Sequence, residues 1–149
     1  MNFVKQQHER GCAVACAAML TGVSYDKVWR DQTSGFSPEE VLSLRAMHWS
    51  FYLSHLGFEV GGLYIEDGAL LDVTQSFPLG VPYLCGLGLA EEHVDSHPDN
   101  THAIVIDENG VVFDPATDAP GIHPLSHYRT FPKKLLMVAS VEDRRLMNL

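Results

Sequence analysis

A chain of 149 residues, 46% hydrophobic and 19% charged, can build one ordinary core without disulfides or a structural metal, so a single domain over 1–149 is expected. Its formal net charge of −9, histidines neutral, argues against a nucleic-acid partner, which would need a concentrated basic face, and suits a basic peptide or protein better. No apolar run approaches the roughly 20 residues of a membrane helix, and neither Met1 to Arg10 nor the short run Cys12 to Leu20 has the basic-then-apolar pattern of a secretory signal.

In chain order, the first half reads as helical. Gly11-Cys12-Ala13-Val14-Ala15-Cys16-Ala17-Ala18-Met19-Leu20 is dense in alanine, the best helix former, and Thr21-Gly22 supplies a stop, which predicts a buried helix beginning at Cys12. Ser24 can cap a short second helix through Val28 and Trp29. Ser37-Pro38-Glu39-Glu40 combines an N-cap, a proline at the first helical position and a capping-box glutamate. A third helix is therefore expected from Pro38 to about Leu56, with Val41, Leu44, Ala46 or Met47, Phe51 and Leu56 on its apolar face and Gly57 as its stop.

After Gly57 the pattern changes to short β-prone runs: Phe58 to Ile65, Val81 to Leu87, His102 to Ile106, Val111 to Phe113 and Leu135 to Val141. They predict one largely antiparallel sheet, and the fold class is α+β, with N-terminal helices packed on that sheet. Asp107-Glu108-Asn109-Gly110 is a turn signal joining two of the strands. His102 and Asp114 would then lie near the same end of a β-hairpin.

That placement has a chemical consequence. A thiol becomes a strong nucleophile when held as a thiolate by the positive end of a helix and a neighbouring imidazolium. Cys12 sits where the alanine-rich helix starts, behind Gly11, which lets the backbone turn tightly and leaves room for a substrate chain. His102 opens the strand His-Ala-Ile-Val-Ile, and Asp114 closes the next one, Val-Val-Phe-Asp-Pro, where a carboxylate can hold the imidazole. Gln6 carries an amide donor that can meet a developing oxyanion together with the Cys12 N–H.

These residues resemble the C39 family of peptidases, the papain-like processing domains of bacteriocin exporters and their stand-alone relatives. Gln-Gln-His-Glu-Arg-Gly-Cys-Ala-Val-Ala, from Gln6 to Ala15, is similar to that family's cysteine motif. His102-Ala-Ile-Val-Ile and Val-Phe-Asp114-Pro115-Ala116 are similar to its histidine and aspartate strands. The resemblance runs from Gln6 to about Val141, with the middle third alike only in helical character. It implies a papain-like fold in which Cys12 is the nucleophile, His102 the general base, Asp114 the orienter and Gln6 the oxyanion-hole residue, with no cofactor. Gly11 stands where the exporter domains carry an acidic residue and Ala13 where they carry glycine, so the resemblance extends to the chemistry and not to double-glycine leader specificity.

Three cysteines, an odd number at spacings of neither a disulfide framework nor a zinc ribbon, suggest reduced thiols and a cytoplasmic location. Cys16, one helical turn beyond Cys12, and Cys85, inside an apolar strand, read as buried structural thiols. Gln7 is a second candidate for the oxyanion donor, one residue out of register. The stretch Glu91 to His102 holds His93, His97, His102 and several carboxylates, but Pro98 and its polarity make it a loop, and its spacing matches no zinc motif, so no metal is expected. If it borders the cleft, its carboxylates over 91–99 would favour basic substrates. His8, His48, His55, His123 and His127 show no comparable partner pattern, and Trp29 and Trp49 read as helix packing residues. The function expected is a cysteine peptidase cleaving a peptide or isopeptide bond. An amidase or acyltransferase could use the same triad, and a non-catalytic papain-like binding module is the reading from a different class.

Overall fold

The computed structural model describes residues 1–8, 11–34, 46–64, 80–88, 101–116, 121–124 and 134–145. Within them the helices α1 (Cys12–Thr21), α2 (Tyr25–Thr33) and α3 (Ala46–His55) precede the strands β1 (Phe58–Tyr64), β2 (Tyr83–Gly88), β3 (Thr101–Ile106), β4 (Val111–Asp114), β5 (Gly121–Pro124) and β6 (Lys134–Asp143). The strands form one sheet in the order β1-β6-β2-β3-β4-β5, antiparallel at every neighbouring pair. The class is α+β, as the switch from alanine-rich to β-branched runs implies.

Every residue of α1 is buried, the arrangement an uncharged alanine-rich helix needs because it has no polar stripe to turn to water. It stops at Gly22, whose φ of 75° is a left-handed conformation open to glycine and whose N–H donates to Ala18 O at 2.9 Å. Ser24 caps α2 by accepting from Lys27 N at 3.2 Å. That helix runs past Trp29 to Thr33, with Lys27 and Asp31 paired at 2.9 Å one turn apart.

Of the expected third helix, Ala46–His55 is described and 38–45 lie outside the described residues, as do Val41 and Leu44 of its expected face. Its phase differs from the expected one. Trp49 and Leu53 are buried, while Phe51 is 72% exposed. At 3.6 residues per turn, positions 49 and 53 share a face and position 51 falls on the opposite side, so Phe51 does not belong to the core stripe.

Side-chain alternation splits the sheet into two buried faces. Ala103, Val105, Leu84 and Phe113 join α1, Val28, Trp49 and Leu53 in one cluster. Tyr83, Cys85, Leu87, Ile104, Ile106, Val112 and Val138 form a second. Burial on both sides is why β2 and β3 read as unbroken apolar runs and not as an alternating pattern. Strand β5 was not anticipated: Gly-Ile-His-Pro is short, alternates half-buried with exposed residues, and ends in a proline that only an edge strand tolerates. Among the described residues no helix is long and apolar enough to cross a membrane.

The β3–β4 hairpin forms at the expected turn. Asp107 Oδ1 accepts from Asn109 N at 2.9 Å and Val111 N at 2.8 Å, and Gly110, at φ 82°, donates its N–H to Asp107 O at 3.0 Å. Val105 lies opposite Phe113 and Ile106 opposite Val112. The pairing brings the start of β3 and the end of β4 to one end of the hairpin.

Candidate active site

Cys12 is the first residue of α1, and α1 packs against β3. Its own N–H is among the first-turn donors that an α-helix leaves without an intrahelical partner, and the helix macrodipole favours negative charge there. His102 and Asp114 come from the hairpin, and both are buried, 2% and 6% exposed. The His102 imidazole contacts Asp114 Oδ1 through Nε2 at 2.6 Å. An ionised carboxylate only accepts, so Nε2 carries the hydrogen. The Cys12 side chain acts on the same ring, raising the His102 pKa alongside Asp114.

The electrostatics follow from that arrangement. Burial works against a charged imidazole, but the Asp114 hydrogen bond and the Cys12 contact outweigh it and hold the His102 pKa at about 9, above its ordinary 6.5. The imidazolium is therefore the resting form at neutral pH. Asp114 is itself oriented: the Oδ1 that receives the imidazole also accepts from Ala116 N at 3.0 Å. Burial raises the other two thiols, Cys85 to about 12 and Cys16 well above its ordinary value, the latter with help from neighbouring Cys12 and Asp114. All three cysteines are free thiols.

Gln6 is 4% exposed, whereas Gln7 is exposed. The Gln6 backbone N–H donates to Pro115 O at 2.9 Å, tying this segment to the residue after Asp114. Its side-chain Nε2 donates to His8 O at 2.9 Å. An amide nitrogen carries two hydrogens, and holding one on His8 O fixes the direction of the other.

Gly11 differs from the sequence-based expectation. Its φ of −93° and ψ of 8° demand no glycine on conformational grounds. What requires it is space, because a Cβ there would lie 2.1 Å from Tyr25 Oη. Tyr25 belongs to a cluster that sequence reading missed. His8 stacks on Trp29 at 3.6 Å between ring centroids, and Tyr25 lies in the same near-parallel stack, with His8 Nδ1 at 2.9 Å from Tyr25 Oη. Trp29 is thus a partner of the segment before Cys12, and His8 does have partners. Trp49 is a core residue, as expected.

His93, His97 and the acidic stretch 91–99 lie outside the described residues, and so does His127. Among the described residues no group of three or more His, Cys, Asp or Glu side chains is arranged to hold a metal ion. No protein-family model matches the chain, and no curated protein matches it in sequence.

Proposed function

We propose that the chain is a papain-like thiol hydrolase, a cysteine peptidase cleaving a peptide or isopeptide bond through an acyl-enzyme on Cys12. The observation that carries this reading is the buried relay Cys12–His102–Asp114 at a helix N-terminus. A merely structural histidine would be neutral when buried, since desolvation disfavours its charge; here a carboxylate and a thiol together sustain the imidazolium.

In this mechanism the Cys12 thiolate attacks the substrate carbonyl carbon, and the carbonyl π pair moves onto oxygen as the S–C bond forms. The oxyanion is met by the Cys12 N–H and the Gln6 amide. As the oxyanion collapses, the C–N bond breaks and the leaving nitrogen takes the proton from His102. Water, deprotonated by the now neutral imidazole, then attacks the thioester and releases the acid, returning the proton to His102. Asp114 holds the ring throughout and stabilises its charged form.

Alkylation tests the reading. Iodoacetamide should label Cys12 rapidly at pH 6, where an ordinary thiol is almost wholly protonated, and His102→Ala should abolish the rapid phase. Uniformly slow labelling of Cys12, Cys16 and Cys85 would remove the enzymatic reading in favour of a binding module. Trapping the acyl-enzyme from a peptide library and offering it water or amines then separates hydrolysis from acyl transfer.

A further inference from the structure

The two groups proposed to meet the oxyanion come from different pieces of chain, the Gln6 side chain and the backbone of Cys12. The His8 carbonyl joins them: it accepts from Gln6 Nε2 at 2.9 Å and from the N–H of Gly11, the residue before Cys12, at 3.0 Å. Whatever fixes His8 therefore fixes both donors.

Tyr25 grips His8. It is 5% exposed at the start of α2, and its hydroxyl lies 2.9 Å from His8 Nδ1. The His8 ring is stacked with Tyr25 at 5.7 Å and 17° and with Trp29 at 3.6 Å and 11°. The same hydroxyl fills the space where a side chain at position 11 would stand, 2.1 Å from the site of its Cβ. One oxygen thus abuts both His8 and Gly11. Burial raises the Tyr25 pKa, with backbone N–H groups of Gln7 and His8 opposing it, so the hydroxyl stays neutral at physiological pH.

We propose that Tyr25 is a positioning residue for the oxyanion site: its hydroxyl holds His8 and Gly11 so that the Gln6 amide and the Cys12 N–H converge on one point. The role rests on the thiol-hydrolase reading above. It is separable from that reading because two reactions of the same thiol place different demands on the site. Acylation by p-nitrophenyl acetate forms an S–C bond at a carbonyl, passes through a tetrahedral oxyanion and expels p-nitrophenolate. Alkylation by iodoacetamide forms an S–C bond at a saturated carbon, expels iodide and develops no oxyanion.

Tyr25→Phe in the full chain keeps the ring and its stacking and removes only the hydroxyl. We expect the acylation rate to fall about tenfold, within the range that misplacing one oxyanion donor costs, while the alkylation rate at Cys12 is unchanged. Gly11→Ala, whose Cβ would press on the same oxygen at 2.1 Å and on the His8 carbonyl at 3.1 Å, should give the same selective loss. Equal losses in both reactions, or no loss in either, would overturn the positioning role while leaving the thiol reading intact. A wild-type chain that lacks rapid alkylation would overturn both.

Discussion

Replacing Asp114 by asparagine keeps the size of the side chain and removes its charge. The buried imidazole then loses the first of its two supports, the 2.6 Å contact to Oδ1. In the wild-type fold those supports move His102 from 6.5 to about 9 against the opposing pull of burial, which is about 3 kcal/mol in favour of the imidazolium. Without the carboxylate, burial is opposed by Cys12 alone and the His102 pKa falls; a full return to its ordinary 6.5 would deplete the imidazolium at pH 8 about 30-fold. The thiolate–imidazolium pair weakens correspondingly. The second-order rate of Cys12 alkylation at pH 8 should drop by up to about that factor. The assay is iodoacetamide labelling followed by mass mapping, with buried Cys16 and Cys85 as internal controls for unfolding. An asparagine variant that labels at the wild-type rate at pH 8 would refute the argument that Asp114 sustains the charged ring.

Three further outcomes are expected. Peptide turnover should fall as pH rises through about 9, where His102 loses the proton that the leaving nitrogen needs, while alkylation persists there; parallel decline of the two would contradict the assignment of His102 as acid. Because the His102 pKa is raised in the fold, its contribution to stability is fully present below 6.5 and is lost as pH rises through about 9. Urea unfolding should accordingly show up to about 3 kcal/mol more stability from this group at pH 6 than at pH 10, an increment that shrinks in Asp114→Asn. Cys16→Ala should cost about 1 kcal/mol by urea melt, for one buried atom removed, and leave Cys12 alkylation unchanged; a loss of Cys12 reactivity would show that Cys16 belongs to the chemistry.

What the sequence disclosed about the fold divides along a physical line. Features set by neighbours in the chain were legible: the alanine run and Gly22 delimit α1, Ser24 caps α2, and Asp107 to Gly110 turn β3 into β4 through bonds to their own backbone. Because that turn fixes the hairpin, the meeting of His102 and Asp114 was legible too. Strand β5 was not, since Gly121 to Pro124 has no apolar run and is a strand only because β4 offers an edge. The phase of α3 was misjudged because Phe51 is apolar yet points away from the core that Trp49 and Leu53 enter. Gly11 was read as allowing a tight turn and leaving room for a substrate chain, whereas the space its missing side chain leaves is taken by a tyrosine from another helix that no local pattern could reveal. The same holds for the His8, Tyr25 and Trp29 stack: Tyr25 and Trp29 lie one turn apart on α2, but no local pattern sets His8 against them.

The backbone bond from Gln6 to the carbonyl of Pro115 ties the segment before α1 to a strand that follows much later in the sequence. Cys12 and His102 are brought together by the packing of α1 on β3, far apart in the sequence. On the proposed reading, a chain still being synthesised would carry an ordinary cysteine at position 12, and folding itself would arm the thiol.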